Sequence, residues 1–180
     1  MILFEEFLKE NLVLLDGAMG SLIYEKGVFI DKCYDELNLS RPELIRSIHE
    51  EYIMAGANVI ESNTYGANRF KLKSHNLLEQ MGEINRKGVE LARSAAGEKA
   101  YVAGSMGPSG QEMEPWGEIS LDDVFKAYAE QAAFLQEEGV ALPPEIVQLG
   151  VELHDVVVPS LHSNIIFDFL SCASVIIFDC

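Results

Sequence analysis

The sequence predicts an α/β protein built on a parallel sheet, and three observations carry that expectation. Apolar, strand-like runs alternate with segments of helical periodicity through the first 140 of the 180 residues. The first run, Asn11 to Leu15, is continuously apolar rather than alternating, which suits a strand covered on both faces. Each run closes in a small cluster of glycine and polar residues: Asp16-Gly17-Ala18, Asn63-Thr64-Tyr65-Gly66 and Ser105-Met106-Gly107-Pro108. Strands separated by helices imply parallel pairing with right-handed crossovers. A doubly wound sandwich and a (β/α)8 barrel both satisfy this pattern, and periodicity does not choose between them.

The elements follow in order. Asn11 to Leu15 reads as the first strand, with a short helix from Gly20. Ser40-Arg41-Pro42-Glu43 reads as a helix start, with Ser40 as cap, Pro42 in the first turn and Glu43 completing a capping box. Leu44, Ile45, Ile48, Tyr52 and Ala55 then share one face, and Gly56 stands at the C-terminal cap. Residues 58–64 form the second strand. A helix is predicted from about Leu77 to Ala96, ended by Gly97, with Leu78, Met81, Ile84, Val89 and Leu91 apolar along it. Tyr101 to Ser105 is the third strand. A last helix, Ser120 to Glu138, buries Leu121, Val124, Phe125, Tyr128, Ala132 and Leu135, and Val140 opens a fourth strand.

Composition bounds the function. Hydrophobic residues at 48% against 23% charged can bury a core, so the chain is not a disordered acidic segment. The net charge of −16 argues against nucleic acid or an anionic membrane as partner, because both need clustered Lys and Arg. All 13 basic residues lie between Lys9 and Lys126, so residues 1–140 carry −11 and residues 141–180 carry −5. The opening MILFEEFLKE has no basic leader, and Asp168 interrupts the apolar stretch from Ile165 to Phe178, so neither a secretory signal nor a membrane span is expected. Cys33, Cys172 and Cys180 are odd in number and widely spaced, which reads as reduced thiols in a cytoplasmic protein. Asn38-Leu39-Ser40 matches a glycosylation acceptor by chance.

Parallel α/β architectures place ligands at the carboxyl ends of their strands, so the three glycine-polar clusters face one rim. Asp16 is the sharpest candidate. A carboxylate at a strand end suits a substrate ammonium group, while the backbone N–H groups of Gly17 and Ala18 suit its carboxylate. Spacing alone leaves the plainer alternative open, in which Asp16 only caps the next helix. Asn63 and Thr64 offer hydrogen bonds to a ligand or simply satisfy a turn. Gly104, Gly107 and Gly110 lack a following Gly-Lys-Ser/Thr, so no phosphate loop is expected. Glu112, Glu114 and Trp116 read as a solvated loop, and His49 and His75 as surface or boundary residues.

The ordered strings VLLDGAMGS (13–21), CYDELNLSRPELIRSIHEEYIMAGANVIESNTYGANRFKL (33–72), ARSAAGEKAYVAGSMGPSG (92–110) and QEEGV (136–140) closely resemble the homocysteine S-methyltransferase family. The resemblance is greatest to the homocysteine-binding module of cobalamin-dependent methionine synthases and of its fusions with methylenetetrahydrofolate reductase. It implies a (β/α)8 barrel and methyl transfer to homocysteine, giving methionine. It implies zinc, which lowers the pKa of the homocysteine thiol, and a donor such as methyltetrahydrofolate acting through cobalamin. It also implies homocysteine binding by Asp16 and Gly17, with Asn63 and Thr64 at the same rim.

The resemblance stops near Val140. The later-strand glutamate that holds the homocysteine amine and the three zinc-binding cysteines have no counterpart in residues 141–180. Pro143-Pro144 is a poor continuation of a central strand, and the wide gaps among His154, His162, Cys172 and Cys180 match no zinc-ligand pairing. NIIFDF (164–169) and SVIIFDC (174–180) echo each other as short strands. The expectation is therefore an incomplete half-barrel over 1–140 with a divergent apolar tail over 141–180, since a complete barrel needs about 250 residues. Its strand edges call for cover from the tail, a missing barrel half or another chain. The alternatives are a non-catalytic homocysteine-binding or assembly remnant, or a truncated product without activity.

Overall fold

A computed structural model describes residues 4–138, 165–167 and 175–178. At its centre β1 (Val59–Glu61) and β2 (Tyr101–Met106) pair in parallel, with Val59 opposite Tyr101 and Glu61 opposite Ala103. The parallel expectation holds for this pair and for Leu15, which bridges Val59 on the other side of β1. The expected first strand narrows to that one bridge. Asn11 turns its N–H back to Phe7 O at 3.1 Å, ending helix α1 (Phe4–Glu10), and Leu12 is left 93% exposed.

The echoing tail strings do supply strands, β3 (Ile165–Phe167) and β4 (Val175–Phe178). β4 pairs antiparallel with β2 and β3 antiparallel with β4, giving the order β1-β2-β4-β3. The sheet is therefore mixed rather than wholly parallel. Val140, Pro143-Pro144, His154, His162, Cys172 and Cys180 lie outside the described residues.

Helices α2 (Met19–Glu25), α3 (Leu37–Ser40), α4 (Pro42–Met54), α5 (Arg69–Ser74), α6 (Met81–Ala96) and α7 (Leu121–Glu137) complete the described elements, with a 3-10 turn at Leu78–Gln80. Their ends follow local rules with one correction. Ser120 caps α7 through a full capping box with Asp123, and Gly56, at φ 105°, ends α4 with Gly56 N–H on Ile53 O and Ala57 N–H on Tyr52 O. Ser40, however, is the last residue of α3, and its hydroxyl donates to Glu36 Oε2 at 2.8 Å. Arg41 occupies the cap of α4 without a side-chain bond, and Pro42, which needs no N–H partner there, starts that helix. Leu121 is exposed rather than buried, because it lies in the first turn of α7, ahead of the packed stripe Val124, Ala127, Gln131 and Leu135.

The core divides by sheet end. α1 packs Phe4 against Val59, Tyr101 and Ala103, its ring 4.9 Å from that of Tyr101, closing the end where the strands begin. α4 and α6 bury Ile45, Ile48, Ile60, Ala92 and Ala96 beside β1, leaving the opposite end, where the strands finish, for other uses. α6 approaches closely because Gly88 faces the strand-end turn. A Cβ there would stand 2.6 Å from Thr64 Cγ2 and 2.7 Å from Asn38 Nδ2. Gly88→Ala is expected to lower stability by roughly 1–3 kcal/mol through overpacking. An unchanged denaturation midpoint would show that these neighbours yield freely. No described helix is long and apolar enough to cross a membrane.

Candidate functional site

The strand ends are fixed by a buried polar lattice. Asn38 Nδ2 donates to Asn63 O at 2.8 Å and to Ile84 O at 3.1 Å, while its Oδ1 accepts from Asn63 Nδ2 at 3.0 Å. Asn63 Nδ2 also donates to Tyr34 O at 2.8 Å. Thr64 Oγ1 donates to Ser105 O at 2.8 Å, tying the end of β1 to that of β2, and Gln131 Nε2 donates to Thr64 O at 2.8 Å from α7. These bonds satisfy turn groups that would otherwise be buried without partners, so the rim is rigid before any ligand arrives.

Above this lattice lies a cleft of about 510 Å³ lined by Asp16, Gly17, Ala18, Glu61, Asn63 and Ser105 from the strand ends, and by Cys33, Asp35, Lys71 and His75 from surrounding segments. A larger hollow of about 610 Å³ lies beyond Cys33 and His75, which line both, but it touches no strand end. The chemistry therefore favours the smaller cleft, where groups from three neighbouring segments of the sheet converge.

Three carboxylates give the cleft its electrostatics. Asp16 Oδ2 accepts from Glu61 N–H at 3.0 Å, and Ser105 Oγ donates to Glu61 Oε2 at 2.8 Å. Burial, reinforced by the charge of Glu61, pushes the Asp16 carboxyl up to about 7. Asp35 accepts from Gly66 N–H at 2.8 Å, and burial raises its carboxyl above the ordinary range. Burial, then the charge of Asp35, pushes the Cys33 thiol up to about 11. The cleft favours an incoming cation and disfavours a thiolate near Cys33.

Of the candidate residues, Asp16, Gly17, Ala18 and Asn63 line the cleft together, although the Asn63 amide is already engaged by Tyr34 and Asn38. Thr64 is fully buried below it, bonded to Ser62 and Ser105. Ser105 comes from the third glycine-polar cluster expected at the rim, whereas Glu61, Asp35 and Lys71 join the site without having been singled out from sequence. Glu61 was legible in principle, since it sits in a strand run just before a glycine-polar cluster. His75 is exposed, within the surface or boundary expectation, whereas His49, given the same expectation, is fully buried on α4 with neither ring nitrogen hydrogen-bonded to any described group. Asn38 is likewise buried, so its amide is not presented as a glycosylation acceptor.

The sequence profile of the homocysteine S-methyltransferase family matches residues 13–143. The chain belongs to the homocysteine S-methyltransferase family. Among its relatives, the methionine synthases of Mycobacterium leprae (strain TN) and Mycobacterium tuberculosis (strain ATCC 25618 / H37Rv) are 32% and 31% identical over 146 residues. Each alignment covers 74% of this chain and 12% of the relative. The homocysteine methyltransferase MmuM from Escherichia coli is similar in its metallated form at a TM-score of 0.63 and 27% identity, over 74% of this chain and 53% of that one. Its oxidized form gives 0.65 and 27% over 75% and 53%. The chain thus spans about half the length of MmuM and a small part of the methionine synthases.

The described residues alone do not make a metal site. Among the described residues no group of three or more His, Cys, Asp or Glu is arranged to hold one. Cys33 is the one described cysteine, and it has no second cysteine among the described residues to join it as a ligand.

Proposed function

We propose that residues 1–140 form the homocysteine-binding half of a (β/α)8 methyltransferase module, that 141–180 form a divergent tail, and that the strand-end cleft takes homocysteine. The observation that carries this reading is the Asp16 carboxylate, half-buried at a strand end beside the backbone of Gly17 and Ala18 in a cleft with ample room for an amino acid. Asp16 would hold the substrate ammonium and the Gly17 and Ala18 N–H groups its carboxylate. Asn63 and Thr64 would act from below by fixing the turn that carries the rim. Gly17 supports the close approach, because a Cβ at that position would meet Tyr52 Oη at 3.1 Å.

In the complete reaction a homocysteine thiolate would accept a methyl group and become methionine, with methyltetrahydrofolate through cobalamin as the donor that fits the family resemblance. Zinc would supply the thiol activation, but the described residues do not form its site, and no step of the binding reading runs through it. The raised Cys33 thiol indicates that the cleft does not generate a thiolate from its own charges. This favours a second reading, a chain that binds homocysteine without transferring methyl groups unless another barrel half or chain supplies the missing ligands. A cytoplasmic setting, where thiols stay reduced, suits either reading.

Titration calorimetry of the full chain with homocysteine tests the binding step. Asp16→Ala is expected to weaken binding by about tenfold or more, the loss of one charge-assisted contact. Wild-type affinity should also rise between pH 6 and pH 8. Asp16 is largely protonated below about 7 in the free protein, and an ammonium partner must first expel that proton. Absence of heat in the wild type would overturn the assignment.

A further inference from the structure

We propose that Glu61 is the second carboxylate of an amine subsite, holding the substrate α-ammonium together with Asp16, and that this pair selects the amino acid over its deaminated thiol analogue. The inference rests on the homocysteine reading above and names the group within that cleft that recognises the amine. The family resemblance assigns the amine to a glutamate on a later strand. A carboxylate already stands at the end of β1.

The geometry supports a built subsite. Leu15 bridges Val59, so Asp16 and Glu61 emerge at the ends of neighbouring segments, and the Glu61 N–H fixes Asp16 Oδ2 at 3.0 Å. Glu61 stands opposite Ala103 on β2, two residues before Ser105, whose hydroxyl reaches Glu61 Oε2 at 2.8 Å. All three side chains line the same cleft. Each is held from a different segment, so their mutual placement does not depend on a flexible loop. A primary ammonium carries three N–H donors, which suits two carboxylates and a neighbouring hydroxyl oxygen. Two carboxylates this close repel each other when both are ionised, and that repulsion contributes to the raised Asp16 carboxyl. A cation placed between them reverses the sign of the interaction, whereas a thiol or methylene does not.

The experiment compares homocysteine with 4-mercaptobutanoate, which lacks only the amine, by calorimetry on the full chain at pH 7.5. Wild type should bind homocysteine at least tenfold more tightly than the analogue. Glu61→Gln should lose about 10- to 100-fold for homocysteine and leave the analogue unchanged. It should also move the pH midpoint of homocysteine binding below 7, because Asp16 no longer faces a neighbouring negative charge. That shift reports the charge coupling between the two carboxyls, and the loss confined to homocysteine, with the analogue unchanged, reports contact with the amine. Glu61→Asp keeps the charge but shortens its reach, and is expected to give an intermediate loss; it replaces the glutamine variant if that one fails to fold. A folded variant with an unchanged ligand ratio overturns the role of Glu61 alone, whether or not the midpoint moves. No heat with homocysteine in the wild type overturns both this inference and the binding reading beneath it.

Discussion

Asn38→Leu is expected to cost on the order of 4 kcal/mol, among the largest single-residue losses in the described fold, since each buried group left unpaired costs roughly 1–3 kcal/mol. Leucine matches asparagine closely enough to avoid a large void, so the loss isolates hydrogen bonding. The substitution strands Asn63 O and one Asn63 N–H within a buried cluster, and takes from Ile84 O the bond it accepts beyond its own helix. It also removes the link by which α3 holds the turn after β1 against α6. The effect should extend to the site, because that turn leads from Glu61 and Asn63 to Gly66, which grips Asp35. Urea denaturation gives the stability change, and homocysteine titration of the surviving folded fraction should show weakened binding. A loss below about 1 kcal/mol would mean that the turn re-pairs elsewhere.

Acid should weaken the fold through His49. Its imidazole is fully buried on α4, and burial holds its pKa down to about 4 against an ordinary value of 6.5. The unfolded chain therefore takes up the proton first. The stabilisation from a neutral His49 is fully present above about pH 6.5 and is lost as the pH falls towards 4, a change of about 3 kcal/mol for this displacement. Asp16 acts in the opposite sense. Its folded value, near 7, lies above its ordinary one, so its contribution is fully present in acid and is lost as the pH rises through 7. The net curve thus combines both, and a His49→Met variant separates them. At pH 7.5 the variant should equal or exceed the wild type, because it removes two buried ring nitrogens that no described group satisfies. Its advantage should grow steadily towards pH 5. A constant difference between the two melting curves across that range would refute a buried neutral imidazole.

Much of this architecture was legible because its signals are local. Pro42 marks the start of α4, Gly97 the end of α6, and Ser120 with Asp123 the start of α7. The clusters after β1 and β2 mark the rim because a chain leaving a strand must turn. His49 was misjudged from residue type. Its position, four residues after Ile45 and one after Ile48, puts it on the buried stripe. Ser40 has the chemistry of a cap, but Glu36, one turn earlier, takes its hydroxyl, and a residue pattern does not reveal which of two helices owns a serine. Asp35, Cys33 and Lys71 reach the cleft from α5 and the segment before α3, through contacts with no sequence period. The sense of β4 was equally hidden, since an apolar run specifies a strand but not its direction.

That sense has a consequence for the open edge of the sheet. β4 opposes β2, and β3 opposes β4, so β3 runs the same way as β1 and β2. The hairpin is a two-strand insertion that conserves polarity. The row containing Met106 continues through Val175 to Phe167, and beyond it the outermost strand presents the direction that β2 would have presented, displaced by two strand spacings, about 10 Å. A segment of the right sense could extend the sheet from β3 in parallel register, but its contribution to the cleft would arrive one hairpin's width too far from Ser105.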